Sequence, residues 1–236
     1  MQAVLVAGGK GKRLQPYTLV IPKPLIPLKD EPIMEVIIRQ LARVGFTNIH
    51  ICIGYMGELL QTYFGDGAKY NVKITYSKES KSLGTIGPLT LIDSLEDNFL
   101  VLNGDTLSDI NYKELLVEHK RSQSSLTIAT YSKKVKMELG VLEFNPDNSL
   151  KDYIEKPTLF YKVSTGVYAL NKEVIPLFRY NEYFDFPSLV KLLLEKKKKV
   201  HTFQHEGIWH DLGSIDSFES ALLDYEKMNF DASKKL

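Results

Sequence analysis

Gly8, Gly9 and Gly11 are interleaved with Lys10, Lys12 and Arg13 in one short stretch directly after the apolar run 2–7. Glycines let backbone N–H groups come close to a phosphate, and three cations supply the charge to hold it. Two familiar phosphate motifs are excluded. A dinucleotide fingerprint needs glycine where Leu14 stands, and a Walker loop needs Ser or Thr where Arg13 stands. On the loop alone, a tight strand-to-helix turn with incidental surface cations is an equal alternative. Other residues bear on that choice. Lys23 lies between Pro22 and Pro24, which stiffen the chain and present its ammonium from a fixed place. Asp105 follows the apolar run 99–103 and Gly104, where a carboxylate either caps the next element or holds a divalent metal. Asp211 is a second acid, close to the lone tryptophan, Trp209, and before Gly213. A glycine loop, several cations and two acids together predict a site that handles phosphate and metal.

Such chemistry needs strand ends to carry it. Residues 2–7 read as a buried strand feeding the glycine loop, and Pro22, Pro24 and Pro27 predict an extended segment over 21–28. Ile33, Ile37, Leu41 and Val44 recur at helical spacing within 31–45, with Gly45 as the stop. Strands at 48–53, 72–77 and 99–103 alternate with short helices near 58–64 and 87–94. This alternation predicts an α/β fold with a Rossmann-like, doubly wound, mostly parallel sheet that places ligands beyond the carboxyl ends of its strands. Gly8-Gly9 and Gly104-Asp105 both fall at such ends. From Leu126 the texture changes to strands in succession, at 126–131, 140–144, around 152–155 and 163–170. They predict antiparallel additions that make the sheet mixed and cover one side of the site. Helices at 186–197 and 215–228 flank a strand at 200–204. No repeat or linker divides the chain, so it reads as one domain with halves at 1–125 and 126–230 and a tail at 231–236.

Composition narrows the partners. Among 236 residues, 30 Lys and Arg against 29 Asp and Glu leave a net charge of +1, which provides no bulk field for a nucleic-acid polymer or an anionic membrane. No apolar run reaches the roughly 20 residues of a membrane-spanning helix, and 3–7 is too short for a signal-peptide core. The sole cysteine, Cys52, excludes an intrachain disulfide and a four-thiolate zinc site and suits a reducing cytoplasm. It reads as a small buried side chain. The lysine run 196–199 reads as a solvated helix end. His201 and His205 would lie about 13 Å apart along a strand, too far to share a metal. His210 either orients Asp211 or packs at the rim with Trp209.

The chain resembles the sugar-1-phosphate nucleotidyltransferases, or nucleotide-sugar pyrophosphorylases. The matching segments are AGGKGKRL at 7–14, PKPL at 22–25, SLGTIGPL at 82–89, NGDTL at 103–107, GVLEF at 140–144, EKP at 155–157, STGVY at 164–168 and GIWHDLG at 207–213. They occur in family order over nearly the whole chain. Within the family it is most similar to short enzymes of the mannose-1-phosphate guanylyltransferase type, and its length leaves no room for an appended left-handed β-helix. Lys12 departs from the pattern, which usually has Thr or Ser there.

The resemblance implies the nucleotidyltransferase fold and transfer of NMP from an NTP to a sugar 1-phosphate, giving NDP-sugar and pyrophosphate with Mg²⁺ as cofactor. It implies Arg13, Lys23, Asp105 and Lys156 as catalytic and Asp105 and Asp211 as metal ligands. Ala7, Gly8, Gly9, Gly11, Lys12, Arg13, Gly84 and Thr85 would bind the nucleotide in the first half. Gly140, Glu155, Lys156 and Thr165 would bind the sugar phosphate in the second. GTP and a mannose-like sugar are favoured. The alternatives are UTP, dTTP or CTP with glucose 1-phosphate or another phosphorylated acceptor, or a nucleotide-sugar-binding regulatory module without turnover. The implied setting is cytoplasmic, with no nucleic-acid polymer and no membrane insertion, and a homodimer is compatible with it.

Overall fold

The computed structural model describes residues 1–228; the tail at 231–236 lies outside the described residues. Strand β1 (Gln2–Ala7) is buried on both faces, with Ala3, Leu5 and Ala7 in one core cluster and Val4 in another. A strand of that kind requires covering layers on both sides. The short strands β2 (Pro27–Leu28) and β3 (Glu31–Pro32) follow, then α1 (Ile33–Arg43), β4 (Asn48–Ile53), α2 (Gly57–Phe64), β5 (Lys73–Lys78), β6 (Asn98–Asn103) and β7 (Thr106–Ser108). The remainder comprises α3 (Tyr112–Ser122), β8 (Leu126–Lys136), β9 (Val141–Phe144), β10 (Leu150–Ile154), β11 (Thr158–Asn171), α4 (Phe186–Glu195), β12 (Val200–His205), β13 (Trp209–Asp211) and α5 (Ile215–Lys227).

Seven strands form one sheet in the order β12-β8-β11-β6-β1-β4-β5. Only β11 runs against its neighbours, β6 and β8, while every other pair is parallel. Helices α1, α2, α3 and α5 pack on one face and α4 on the other. From β1 the chain builds β4 and β5 outward on one side and then returns to place β6 on the other. This reversal of winding opens a crevice beyond the carboxyl ends of β1 and β6. Gly8 follows the first strand and Gly104 the second. The far ends of β8 and β11 pair only with each other beyond Tyr131 and Ser164, and the hairpin β9–β10 joins them.

The mixed α/β fold agrees with the sequence, with local differences that include the short strands β2, β3, β7 and β13. Residues 23–25 form a 3₁₀ turn inside the segment expected to be extended; proline fixes φ near −65°, which a 3₁₀ turn shares with extended chain, and leaves ψ open. The helix expected at 87–94 is a 3₁₀ segment, Gly87–Leu91, too short and too β-branched at Thr90 and Ile92 to propagate as an α-helix. Helix α3 was not anticipated, although Asn111 accepts the Glu114 N–H at 3.1 Å and so caps it in the usual way.

Cys52 is the small buried side chain expected, and burial pushes its thiol up to about 12. His119 is fully buried with Nδ1 2.8 Å from Thr127 Oγ1, and His50 lies 2.8 Å from Thr75 Oγ1 and 2.9 Å from Ser77 Oγ. Burial pushes both imidazoles from 6.5 down to about 4. Between those values the unfolded chain binds more protons than the folded one, so stability falls on acidification. Lowering the pH from 6.5 to 4 is expected to cost about 1–3 kcal/mol per histidine. Urea midpoints measured across that range, beside those of His119→Gln, should show a shallower acid loss in the variant.

Candidate active site

The glycine loop is shaped by contacts behind it. Gly11 has φ 60°, in the left-handed region, and a Cβ there would stand 2.8 Å from Thr18 Cγ2 and 3.2 Å from Lys23 Cβ. Thr18 Oγ1 donates to Gly11 O at 3.0 Å, which ties the loop to the segment after it. Lys12 and Arg13 then project from a 3₁₀ turn whose Leu14 is buried.

Lys23 is buried. It is 8% exposed, and its ammonium is bonded to the Asp105 carboxylate. Strands β7 and β13 pair antiparallel with Asp211 opposite Thr106, and Leu212 N–H donates to Asp105 O at 3.2 Å. This pairing places Asp211 diagonally beside Asp105. Arg13 Nη2 lies 3.9 Å from Asp211 Oδ2, and Gly213 leaves space for the guanidinium, since a Cβ there would meet Nη2 at 2.5 Å. Two cations and two carboxylates thus form a paired quartet at the β1–β6 crevice. Beside it is a cavity of about 420 Å³ lined by Ala7, Gly8, Gly9, Gly11, Lys12, Arg13, Lys23, Glu79, Gly84, Thr85 and Asp105 among others.

The two carboxylates suit Mg²⁺, which keeps water and substrate oxygens in its shell rather than needing a full protein cage. No group of three or more His, Cys, Asp or Glu able to hold a metal occurs among the described residues. The histidines have other partners: His201 meets Glu118 at 3.2 Å, His205 meets Asp109 at 2.9 Å and His210 meets Asp224 at 2.9 Å. His210 therefore does not orient Asp211; it points to α5.

All the predicted nucleotide-binding residues line the cavity, but the predicted sugar-phosphate residues do not. Gly140 precedes β9 and lies under Tyr153, whose hydroxyl a Cβ would meet at 2.3 Å. Glu155 and Lys156 follow β10, are exposed, and lie 4.0 Å apart across their ion pair; Lys156 has φ 42°. Thr165 is buried, with its hydroxyl donating to Ala129 O at 2.8 Å and its carbonyl accepting Trp209 Nε1–H at 2.8 Å.

One residue escaped the sequence reading. Glu79 stands just past β5, and its Oε2 accepts Leu83 N–H at 3.0 Å. Its Oε1 lies over the backbone at Gly8, where a Cβ would come within 2.3 Å. Burial raises this carboxyl, with the Leu83 N–H acting in the opposite direction. The available signal was a single acid directly after a strand and before the Leu83-Gly84-Thr85 turn.

The model of the nucleotidyl transferase family matches residues 2–228. The chain belongs to that family. It is 34% identical to mannose-1-phosphate guanyltransferase of Saccharomyces cerevisiae, over 95% of this chain and 64% of that protein. The enzyme of the same name from Candida albicans is also 34% identical, over 93% of this chain and 63% of its own length. The chain thus spans less than two thirds of the length of these relatives. Among solved structures, a candidate glucose-1-phosphate thymidylyltransferase from Bacillus anthracis, in complex with a sucrose, superposes with a TM-score of 0.77 at 22% identity, covering 98% of this chain and 97% of that one. HddC from Yersinia pseudotuberculosis complexed with GMP-PN gives 0.72 at 23%, covering 95% and 99%. These two likenesses establish the fold.

The Lys23–Asp105 pair yields a stability test. Removing one partner of a buried pair strands the other charge, at a cost of about 3–5 kcal/mol. Asp105→Ala should therefore destabilise strongly, whereas Lys23→Met with Asp105→Ala should recover much of the loss. Denaturant titration of the two single variants and the double would reveal the coupling, and simple additivity would show that the pair contributes none.

Proposed function

We propose that the protein transfers NMP from an NTP, with GTP favoured, to a mannose-like sugar 1-phosphate, giving NDP-sugar and pyrophosphate with Mg²⁺ as cofactor. The observation that carries this reading is the convergence of the glycine loop with the Lys23–Asp105 and Arg13–Asp211 pairs at one crevice. A sugar-phosphate oxygen attacks the α-phosphorus in line, and the bond from that phosphorus to the departing pyrophosphate breaks. The nucleophile is already an anion, so no general base is required. The work is to hold two polyanions together and neutralise them. Backbone N–H groups around Gly8, Gly9 and Gly11 and the charges of Lys12, Arg13 and Lys23 serve the triphosphate. Asp105 and Asp211 would hold Mg²⁺, which supplies further neutralisation of the phosphates when bound. Lys156, with Gly140 and Glu155, reaches the acceptor from the β9–β10 arm. Thr165, whose hydroxyl is already bonded, acts by fixing Trp209.

Glu79 supports guanine. Its other oxygen, Oε1, is an acceptor at the cavity, and guanine offers adjacent N1–H and 2-amino donors. Uracil and thymine flank their single N3–H with carbonyl oxygens, which a carboxylate repels. Pyrophosphate release, measured for each NTP against a panel of sugar 1-phosphates, should be fastest with GTP and mannose 1-phosphate. Silence throughout, with nucleotide-sugar binding retained, would favour the regulatory module. Glu79→Gln should lower kcat/KM for GTP by about 10- to 100-fold, the value of a hydrogen bond to a charged group. An unchanged base preference would remove Glu79 from base reading.

The acceptor assignment has its own test. Lys156→Ala should raise KM for the sugar phosphate at least about tenfold, the loss of one charge-assisted contact, while KM for the NTP stays near its original value. Equal changes in both would count against the role.

A further inference from the structure

The lysine run that the catalytic reading leaves unused becomes part of a larger feature in the fold. Helices α3 and α4 lie on opposite faces of the sheet, and both end where β8 and β12 begin. Their ends are tied together: Lys199 Nζ donates to Ser122 O at 2.6 Å, and Ser125 N–H donates to Lys199 O at 2.9 Å. Lys120 and Arg121 from one helix thereby join Lys196, Lys197, Lys198 and Lys199 from the other, all exposed. Backbone N–H groups of Lys196, Lys197 and Lys198 close the end of α4 on the carbonyls of Leu192, Leu194 and Leu193, so the ammonium groups are not needed to cap it. Glu195, exposed beside Lys196, offsets one charge of the cluster, and Glu118 offsets that of Arg121; the other carboxylates nearby have partners outside it. Glu118 pairs with Arg121 and His201, Asp97 with Lys172 and Glu96 with the amino terminus. No ion pair neutralises Lys120, Lys196, Lys197 or Lys198 among the described residues.

We propose that this end of the sheet docks on anionic lipid headgroups as a peripheral membrane contact. Polybasic clusters of four to eight cations are attracted to such surfaces. Leu194, 60% exposed in the last turn of α4, adds an apolar side chain among the charges that can enter the headgroup layer. The cluster contains no Phe, Tyr or Trp on which a nucleobase could stack, which disfavours single-stranded nucleic acid. It lies at the amino-terminal end of the parallel strands, opposite the crevice, so a docked molecule keeps its cavity toward water. The balanced total charge excluded a general attraction to membranes; the folded arrangement creates a local one.

The test is co-sedimentation of the whole protein with vesicles of phosphatidylcholine alone and of phosphatidylcholine mixed with phosphatidylglycerol. Binding should require the anionic lipid and weaken with added salt. The Lys196→Gln, Lys197→Gln, Lys198→Gln triple variant should bind roughly a hundredfold less, at about fivefold per charge, with its thermal transition and turnover unchanged. Equal binding to neutral vesicles, undiminished binding by the folded triple variant, or no vesicle binding would overturn the proposal. Lysine-dependent binding to a single-stranded oligonucleotide without vesicle binding would overturn it in favour of another polyanion.

Discussion

Lys23 and Asp105 are 82 residues apart in the chain and bonded in the fold. An ammonium with so little access to water must have an anion beside it, since an unpaired buried charge costs several kcal/mol. This requirement brings the proline-stiffened turn at 23–25 to the corner between β6 and β7 and so closes the crevice. The left-handed Gly11 follows from it, because the loop passes Thr18 and Lys23 at a distance no side chain there would permit. The Arg13–Asp211 pair is of a different kind. Its side chains are 72% and 51% exposed and 3.9 Å apart, and contacts of that type contribute little to stability. One pair sets the frame, and the other is loosely held at its edge.

The distribution of charge decides more than its total. A net of +1 says little about a molecule whose cations gather at a crevice and at the opposite end of the same sheet. At the crevice Arg13 and Lys23 are matched one to one with carboxylates. At the far end, Lys120, Lys196, Lys197 and Lys198 outnumber the carboxylates beside them. The same residue type therefore serves different purposes according to what stands next to it, and bulk charge averages those purposes away.

Much of this was legible in the sequence where local pattern governs. The spacing of Ile33, Ile37 and Leu41 gives α1, and glycines after apolar runs mark the strand ends at Gly8 and Gly104. The 3₁₀ turn at Lys23 was not legible, since proline restricts only one of two dihedral angles. Nor was the bond between Lys23 and Asp105, or that between His210 and Asp224, because pairing across the chain depends on topology. Glu79 was missed because a lone acid after a strand has no distinctive spacing; only its position over Gly8 gives it meaning. The roles implied for Gly140, Glu155 and Lys156 came from resemblance, and these residues lie on the arm outside the cavity.

That arm has a consequence for how such a protein can diversify. Beyond Tyr131 and Ser164, β8 and β11 pair only with each other among the described residues, and residues 158–162 are exposed. Side chains there support no core, so substitutions and length changes in the arm and its hairpin carry little penalty for folding. The crevice is the reverse, with Lys23, Asp105 and Gly11 locked to one another. A lineage built on this plan can vary the arm in sequence and length while the crevice remains fixed by its own stability.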